Sequence, residues 1–275
     1  MLTTPPSKIN LGLHVVARRP DGYHDLETIF YLIPLCDTLE VKPVPHESVP
    51  YRLQVVGAPV EGDPSQNLVV KVYESLRIEF NLPPIDIYLC KHIPTGAGLG
   101  GGSSDAASMM LVLNEEFRLG LNSEEMRRRL AAFGADCPFF VDASPSYATG
   151  IGDQLTPCSV SLRGWILALV KPPVHVSTRD AYAGITPQHP ADDLRRIVSL
   201  SPSEWRGRLR NDFEETVFKQ HPSIAAIKAT LYDMGAVYAS MSGSGSAVYA
   251  LFQRRQENLN KIFQDCFIFQ SKLYE

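Results

Sequence analysis

The stretch PTGAGLGGGSSDAA, residues 94 to 107, places five of the chain's 19 glycines between Gly96 and Gly102. Glycines this dense cost backbone entropy on folding, so the conformation they make must serve a purpose that offsets the loss. Upstream, IDIYLCKHI (85–93) alternates as a strand does; downstream, Ala106, Met110, Leu113 and Phe117 recur at helical spacing. A glycine loop between a strand and a helix can curl successive N–H groups into one concavity. It leads into the helix start, where the first amides have no intrahelical partner and the dipole is positive near Ser103 and Ser104. Such a concavity binds phosphate. The competing explanation is a tight turn with close helix packing, which seldom needs five glycines.

Three familiar phosphate loops can be separated from this one. Gly96-x-Gly98-x-x-Gly101 formally matches the dinucleotide fingerprint, which should open a βαβ unit, but here one helix is followed by another, NSEEMRRRLAAF. A Walker loop ends in Gly-Lys-Ser/Thr, and this one ends in Gly-Ser-Ser without lysine. The protein-kinase loop would bring HRD and DFG, and neither occurs.

The remainder of the chain reads as an α+β protein. Strands are expected at INLGLHVVAR (9–18), LETIFYLIPL, TLEVKPV and YRLQVVG, together forming an antiparallel run. A helix is expected over 67–80 with Asn67 as its cap, and another begins at Asn122 or Ser123. PSYATGIG and WILALVKP read as strands. STRDAYAGI, residues 192–220 and PSIAAIKATLYDMG read as helices, followed by a strand–loop–strand, a charged helix and the strand CFIFQSKL. The turn-rich ATGIGDQLTP suggests two domains, 1–155 and 156–275. The net charge of −4 gives no global attraction to nucleic acid or an anionic membrane. The longest apolar run, Trp165 to Val170, is too short to span a bilayer. MLTTPPSKINLGL lacks the charged-then-apolar order of a leader peptide. Five scattered cysteines (36, 90, 137, 158, 266), with no CxxC pair, fit reduced thiols in a cytoplasm rather than a zinc site or disulfide framework.

The run P-x-G-A-G-L-G-G-G-S-S-D-A-A resembles the second motif of the GHMP small-molecule kinases. SMSGSGSAVYALF (240–252) resembles their third, and SKINLGLHVVARRPDGYHDLETIF (7–30) their first segment. The DGYH turn and GADCPFF (134–140) are similar to the branch that acts on a cytidine diphosphate-linked polyol. The resemblance spans essentially the whole chain. It implies a two-domain α+β architecture with the active site in the interdomain cleft and a left-handed βαβ crossover. It also implies an enzyme that phosphorylates an alcohol with ATP and Mg²⁺, working in the cytoplasm as a monomer or weak homodimer.

Phosphoryl transfer needs positioning, charge neutralisation and a group that orients or deprotonates the attacking hydroxyl. Pro94, Thr95, Gly96, Ala97, Gly98, Leu99, Gly100, Gly101, Gly102, Ser103 and Ser104 are expected to hold ATP, with Gly243 and Gly245 flanking it. One of the two serines is expected to cap the following helix. The resemblance makes Asp136 the candidate base and Lys8 its matching cation. As a carboxylate, Asp136 is a weak base that can serve chiefly to orient. The bland alternative for Asp136 is a turn carboxylate, and for Lys8 a solvated strand residue. For the polyol nucleotide, the resemblance puts His24 on the cytosine edge, Tyr23 beside it, Phe30 and Tyr182 as stacking rings, and Asn10 at the polyol end. Phe30 is equally readable as a core residue. Arg127 to Arg129 read as a solvated helix face, and Asn211-Asp212 in RNDFEETV carries no assigned role. The rivals are a GHMP kinase for homoserine, mevalonate or a sugar, a non-catalytic nucleotide binder, and a dinucleotide-dependent oxidoreductase.

Overall fold

In the computed structural model, residues 1–44, 48–59 and 62–274 are described. The chain begins with β1 (Leu2–Thr3), β2 (Pro6–Arg18), β3 (His24–Cys36), β4 (Thr38–Pro43) and β5 (Tyr51–Gly57). Next come α1 (Leu68–Phe80), β6 (Ile85–Lys91), α2 (Gly101–Glu116), α3 (Ser123–Leu130) and α4 (Phe139–Asp142). β7 (Ser146–Thr149), β8 (Gln154–Pro157), β9 (Ile166–Lys171), α5 (Thr178–Ala183), α6 (Leu194–Val198), α7 (Phe213–Gln220) and α8 (Pro222–Asp233) follow. The chain closes with β10 (Tyr238–Met241), β11 (Val248–Phe252), α9 (Leu259–Ile262) and β12 (Phe267–Lys272). None of the helices among the described residues is long and apolar enough to cross a membrane.

Two compact units interleave along the chain. The first comprises Met1–Ser7, Leu35–Thr95 and Gly100–Ser144. Its sheet runs β1-β4-β6-β5, and α1 and α2 pack against each other beside it. The four strands expected to form one antiparallel run are split: β2 and β3 are neighbours in another sheet, while β4 and β5 do not pair with each other, β4 running antiparallel and β5 parallel to β6. α1 lies between β5 and β6 in sequence and returns the chain to run in the same direction, as a parallel pair requires. Asn67 starts α1 as expected, its side-chain oxygen accepting from the Val69 amide at 3.1 Å. α1 buries Val69, Val70, Val72, Tyr73 and Leu76. Each such side chain contributes about 1.5–3 kcal/mol of apolar burial. Asn122 caps α3 through the Glu125 amide.

The second unit comprises Lys8–Pro34, Gly96–Leu99 and Pro145–Glu275, with sheets β2-β3-β7-β8 and β10-β11-β9-β12. α8 packs on β10 and β11 over a core that includes Leu13, Val15, Val170, Phe213, Ile224, Leu231 and Met241. β2 is buried along both faces. Ile9, Leu11, Leu13 and Val15 take one side of its alternation, and Lys8, Asn10 and His14 the other.

Three expectations differ from what forms. The turn residues near 150–155 connect β7 to β8 as a hairpin, so a cut after residue 155 would fall inside β8 rather than between compact units. Residues 192–220 form α6 and α7 rather than one helical stretch. Pro202, which has no amide hydrogen to donate, starts a separate 3-10 turn boxed by Ser201 and Glu204. The charged helix after β11 shrinks to the four residues of α9.

Candidate active site

The glycine loop has its carbonyl groups tied into the protein. Gly96 and Ala97 accept from the amides of Ser246 (3.4 Å) and Ala247 (3.3 Å), Gly98 from the Ser242 hydroxyl (2.8 Å), and Leu99 from the Lys8 amide (2.9 Å). The donors behave oppositely: among the described residues, no amide from Gly96 to Ser103 donates to a protein acceptor. A row of unpaired N–H groups running into the start of α2 is an anion cradle. Gly98 sits at φ +73°, and a Cβ there would overlap the Ser242 carbonyl oxygen. By contrast, a Cβ on Gly102 would meet nothing within 4 Å. No protein atom therefore requires glycine at 102, and the space beside it is open.

Neither serine caps α2. The cap is Gly100, which has no side chain, and the Ser104 amide closes the first helical turn onto the Gly100 carbonyl at 2.9 Å. Ser103 and Ser104 already lie inside that turn, where side chains no longer reach the free amides. Ser103 sits beside the Cys137 thiol instead, while the Ser104 hydroxyl is buried without a hydrogen-bond partner.

Within the first unit a cavity of about 390 Å³ opens beside Gly102. Its walls are Leu53, Val55, Leu68 and Leu89, with Asp63, Asn67, Thr95, Lys91 and Asp105 supplying polar groups. This is the composition of a small-molecule pocket: apolar walls with a few polar groups to fix orientation. Lys91 bridges Asp37 and Asp105, all three buried, and Asp37 also accepts from the amides of His92 (2.5 Å) and Ile93 (2.8 Å) just before the loop. Burial pushes the Asp105 carboxyl up to about 7; Lys91 pulls it back and Asp37 pushes it further up. Two carboxylates share one ammonium here, and a partly protonated Asp105 relieves the surplus negative charge. Sequence reasoning found the loop but not this pocket, whose lining is scattered over β5, the start of α1, β6 and α2.

In the second unit, Lys8 is 3% exposed, and its ammonium donates to Asn10 Oδ1 at 2.7 Å over the face of Phe30, 4.7 Å from the ring centroid. Asn10 donates in turn to the Thr28 hydroxyl at 2.9 Å, and Thr28 to the Gly12 carbonyl at 2.5 Å. The bland reading of Lys8 as a solvated strand residue is therefore excluded. Asn10, expected at the polyol, here orients the lysine, and Phe30 lies beneath it at 2% exposure. The DGYH turn gives two contrasting side chains. Tyr23 is 62% exposed, while His24 stacks on Tyr182 with centroids 4.7 Å apart and planes 18° off parallel. Tyr182 meets Phe213 edge-on at 4.7 Å. Burial, with help from Arg18, lowers the His24 pKa, so the imidazole is neutral at physiological pH.

Asp136 belongs to the first unit, in the turn between α3 and α4, where the Gly134 carbonyl accepts from Cys137 and the Asp136 carbonyl from Phe139. Burial raises the Cys137 thiol to about 11, which keeps it protonated and excludes it as a nucleophile. Among the described residues, no group of three or more His, Cys, Asp or Glu side chains is arranged to hold a metal.

A row of free amides running into a helix start, with a small-molecule pocket beside Gly102, fits a small-molecule kinase. Residues 67–148 match the GHMP kinases N terminal domain and residues 188–265 the GHMP kinases C terminal domain. A 4-diphosphocytidyl-2-C-methyl-D-erythritol kinase of Bacteroides fragilis is 50% identical over 273 residues, covering 99% of this chain and 100% of its own. The Porphyromonas gingivalis kinase of the same name is 46% identical over 98% of this chain and 99% of its own. The crystal structure of a 4-(cytidine 5'-diphospho)-2C-methyl-D-erythritol kinase superposes with a TM-score of 0.81 at 30% identity, over 98% of both chains. A Methanococcus jannaschii mevalonate kinase, at 14% identity and a TM-score of 0.70, shares the fold. The chain belongs to the 4-diphosphocytidyl-2-C-methyl-D-erythritol kinase family.

Proposed function

We propose that the enzyme transfers the γ-phosphoryl group of ATP to the 2-hydroxyl of 4-diphosphocytidyl-2-C-methyl-D-erythritol. The products are the 2-phosphate and ADP, within the non-mevalonate route to isoprenoid precursors. The observation that carries this reading is the unpaired row of amides from Gly96 to Ser103, with the carbonyls of Gly96 to Leu99 all tied back. Those amides bind the triphosphate, Gly243 and Gly245 flank it, and the cavity beside Gly102 takes the adenine. The acceptor oxygen is a tertiary alcohol, crowded and unwilling to ionise. Asp136 accepts its hydrogen bond, directs the lone pair at the γ-phosphorus and receives the proton as the P–O bond forms. Lys8, held by Asn10, steadies the charge of the transferring group.

His24, neutral, can both donate to and accept from the cytosine edge, with the exposed Tyr23 and the Tyr182 ring stacked on His24 beside it; Phe30, buried beneath the Lys8 ammonium, packs the lysine rather than stacking on the base as expected. Mg²⁺ comes with ATP. Bound with the nucleotide, it would neutralise phosphate charge. The setting is cytoplasmic, with small molecules as partners and a monomer or weak homodimer as the working form. ADP release with Mg-ATP, run beside homoserine and mevalonate, tests the reading. Turnover is expected with the cytidyl compound alone. Turnover on another alcohol, with none on this one, would retain the phosphate loop and discard the cytosine site.

A further inference from the structure

The segment RNDFEETV has no part in the chemistry above, yet two of its polar side chains, Asn211 and Glu214, hold the start of the second glycine loop. Residues 210–212 run beside β2. The Leu13 amide donates to the Arg210 carbonyl at 2.8 Å, and the Asp212 amide to the Leu13 carbonyl at 2.9 Å. Asn211 is 3% exposed, and both ends of its side-chain amide are bonded. Its Nδ2 donates to the Met241 and Gly243 carbonyls at 2.8 Å each, and its Oδ1 accepts from the Phe213 amide at 3.0 Å. Those two carbonyls bracket Ser242 at the start of the loop. Three residues on, Glu214 Oε1 accepts from the Met241 amide (2.8 Å) and the Ser240 hydroxyl (3.1 Å), while Lys228 occupies its other oxygen. Asp212 faces the opposite way, accepting from the Val15 amide at 2.9 Å and lying 3.0 Å from His14 Nδ1.

The loop so held is the one whose Ser242 hydroxyl, Ser246 amide and Ala247 amide bind the carbonyls of Gly98, Gly96 and Ala97. Displacing Gly243 therefore displaces the first glycine loop with it. A buried side-chain amide with two donors on two carbonyls admits one geometry, and losing both leaves two buried acceptors unpaired.

We propose that Asn211 is a positioning residue for phosphoryl transfer: a two-pronged clamp that sets the second glycine loop against the first and acts on the ATP phosphates through them. This rests on the reading that the loops hold the triphosphate. Asn211→Asp keeps the shape and the Phe213 contact but turns a carboxylate onto two carbonyl oxygens. The expected result is a fall in kcat/KM for ATP of about 10²-fold, the scale set by a misplacement near 1 Å. KM for the cytidyl substrate stays within about twofold, because that substrate is read by other residues. Ser242→Ala, a small truncation, removes the hydroxyl that donates to Gly98 and accepts from the Asn10 amide, and should give the same ATP-selective pattern at about tenfold, a readout that remains if the Asn211 variant does not fold.

A loss shared equally by both substrates, or a lower active fraction with both KM values unchanged, would make Asn211 merely structural and overturn the proposal. Hydrogen exchange of the 96–103 amides in the unaltered enzyme, with and without Mg-ATP, separates the two claims. Absence of protection removes the loop reading and the clamp together. Protection alongside normal ATP kinetics in both variants removes the clamp alone.

Discussion

Gly98→Ala is expected to lower kcat/KM for ATP by about 10²-fold or more while leaving a folded protein of reduced stability. Two costs fall on the same residue. At φ +73° an L side chain occupies the left-handed region, at roughly 1–2 kcal/mol. The new methyl also overlaps the Ser242 carbonyl, which is backbone and cannot swing aside. The loop or its neighbour must move, and with it the bonds from Ser242, Ser246 and Ala247 that hold the carbonyls inward. A shift near 1 Å in a phosphate cradle is enough for a loss of about two orders of magnitude. Thermal unfolding should fall by several degrees, about 2–4 °C for each kcal/mol in a chain this long. Gly102→Ala is the matched control. Its methyl meets no protein atom, so its Tm should hold, and any loss of ATP affinity there reports the ligand itself. Unchanged ATP kinetics for Gly98→Ala would mean that the loop does not hold phosphate.

Asp136→Asn is expected to lose about 10²–10⁴-fold in kcat with little change in either KM. The amide fills the same space and can still hydrogen-bond the attacking hydroxyl, but it cannot take the proton or direct the lone pair as an anion does. Ground-state binding therefore survives while transition-state stabilisation is lost, and a fall in kcat without a rise in KM is the signature of that split. Steady-state kinetics at saturating Mg-ATP, with circular dichroism to confirm the fold, measure it. A comparable loss of ATP affinity would assign Asp136 to the Gly134–Pro138 turn, where its carbonyl already accepts from Phe139.

How much of this was legible in the sequence depends on the range of the signal. Local patterns read well. Asn67 and Asn122 cap the helices expected of them, β2, β3 and β9 fall on runs read as strands, and the glycine loop lies between a strand and a helix. Where two signals competed, the reading went astray. Turn residues at 150–153 looked like a linker but close a hairpin, because a glycine-rich turn serves either purpose until its flanking strands find each other. The serines after the glycines looked like caps because serine favours that position, yet the left-handed Gly100 ended the loop one residue before the helix. The burial of Lys8 was beyond sequence reasoning. Alternation places Lys8, Asn10 and His14 on one face of β2, and polar residues on a face ordinarily mark solvent. The pocket beside Gly102 and the Asn211 clamp depend on residues brought together from distant segments, and no local period announces them. Asp105 and Asn211 were visible only as unexplained polar residues inside recognisable motifs.

The most direct test of the whole account is the site of phosphorylation, read from the proton-coupled ³¹P spectrum of a completed reaction. The erythritol part of the substrate offers three free hydroxyls, on carbons 1, 2 and 3, and the ribose two more; of these carbons only carbon 2 of the erythritol bears a methyl group and no hydrogen. Transfer to the 2-hydroxyl predicts a new phosphomonoester signal without three-bond proton splitting, formed in step with ADP. A triplet from carbon 1, or a doublet from carbon 3 or from a ribose carbon, would contradict it.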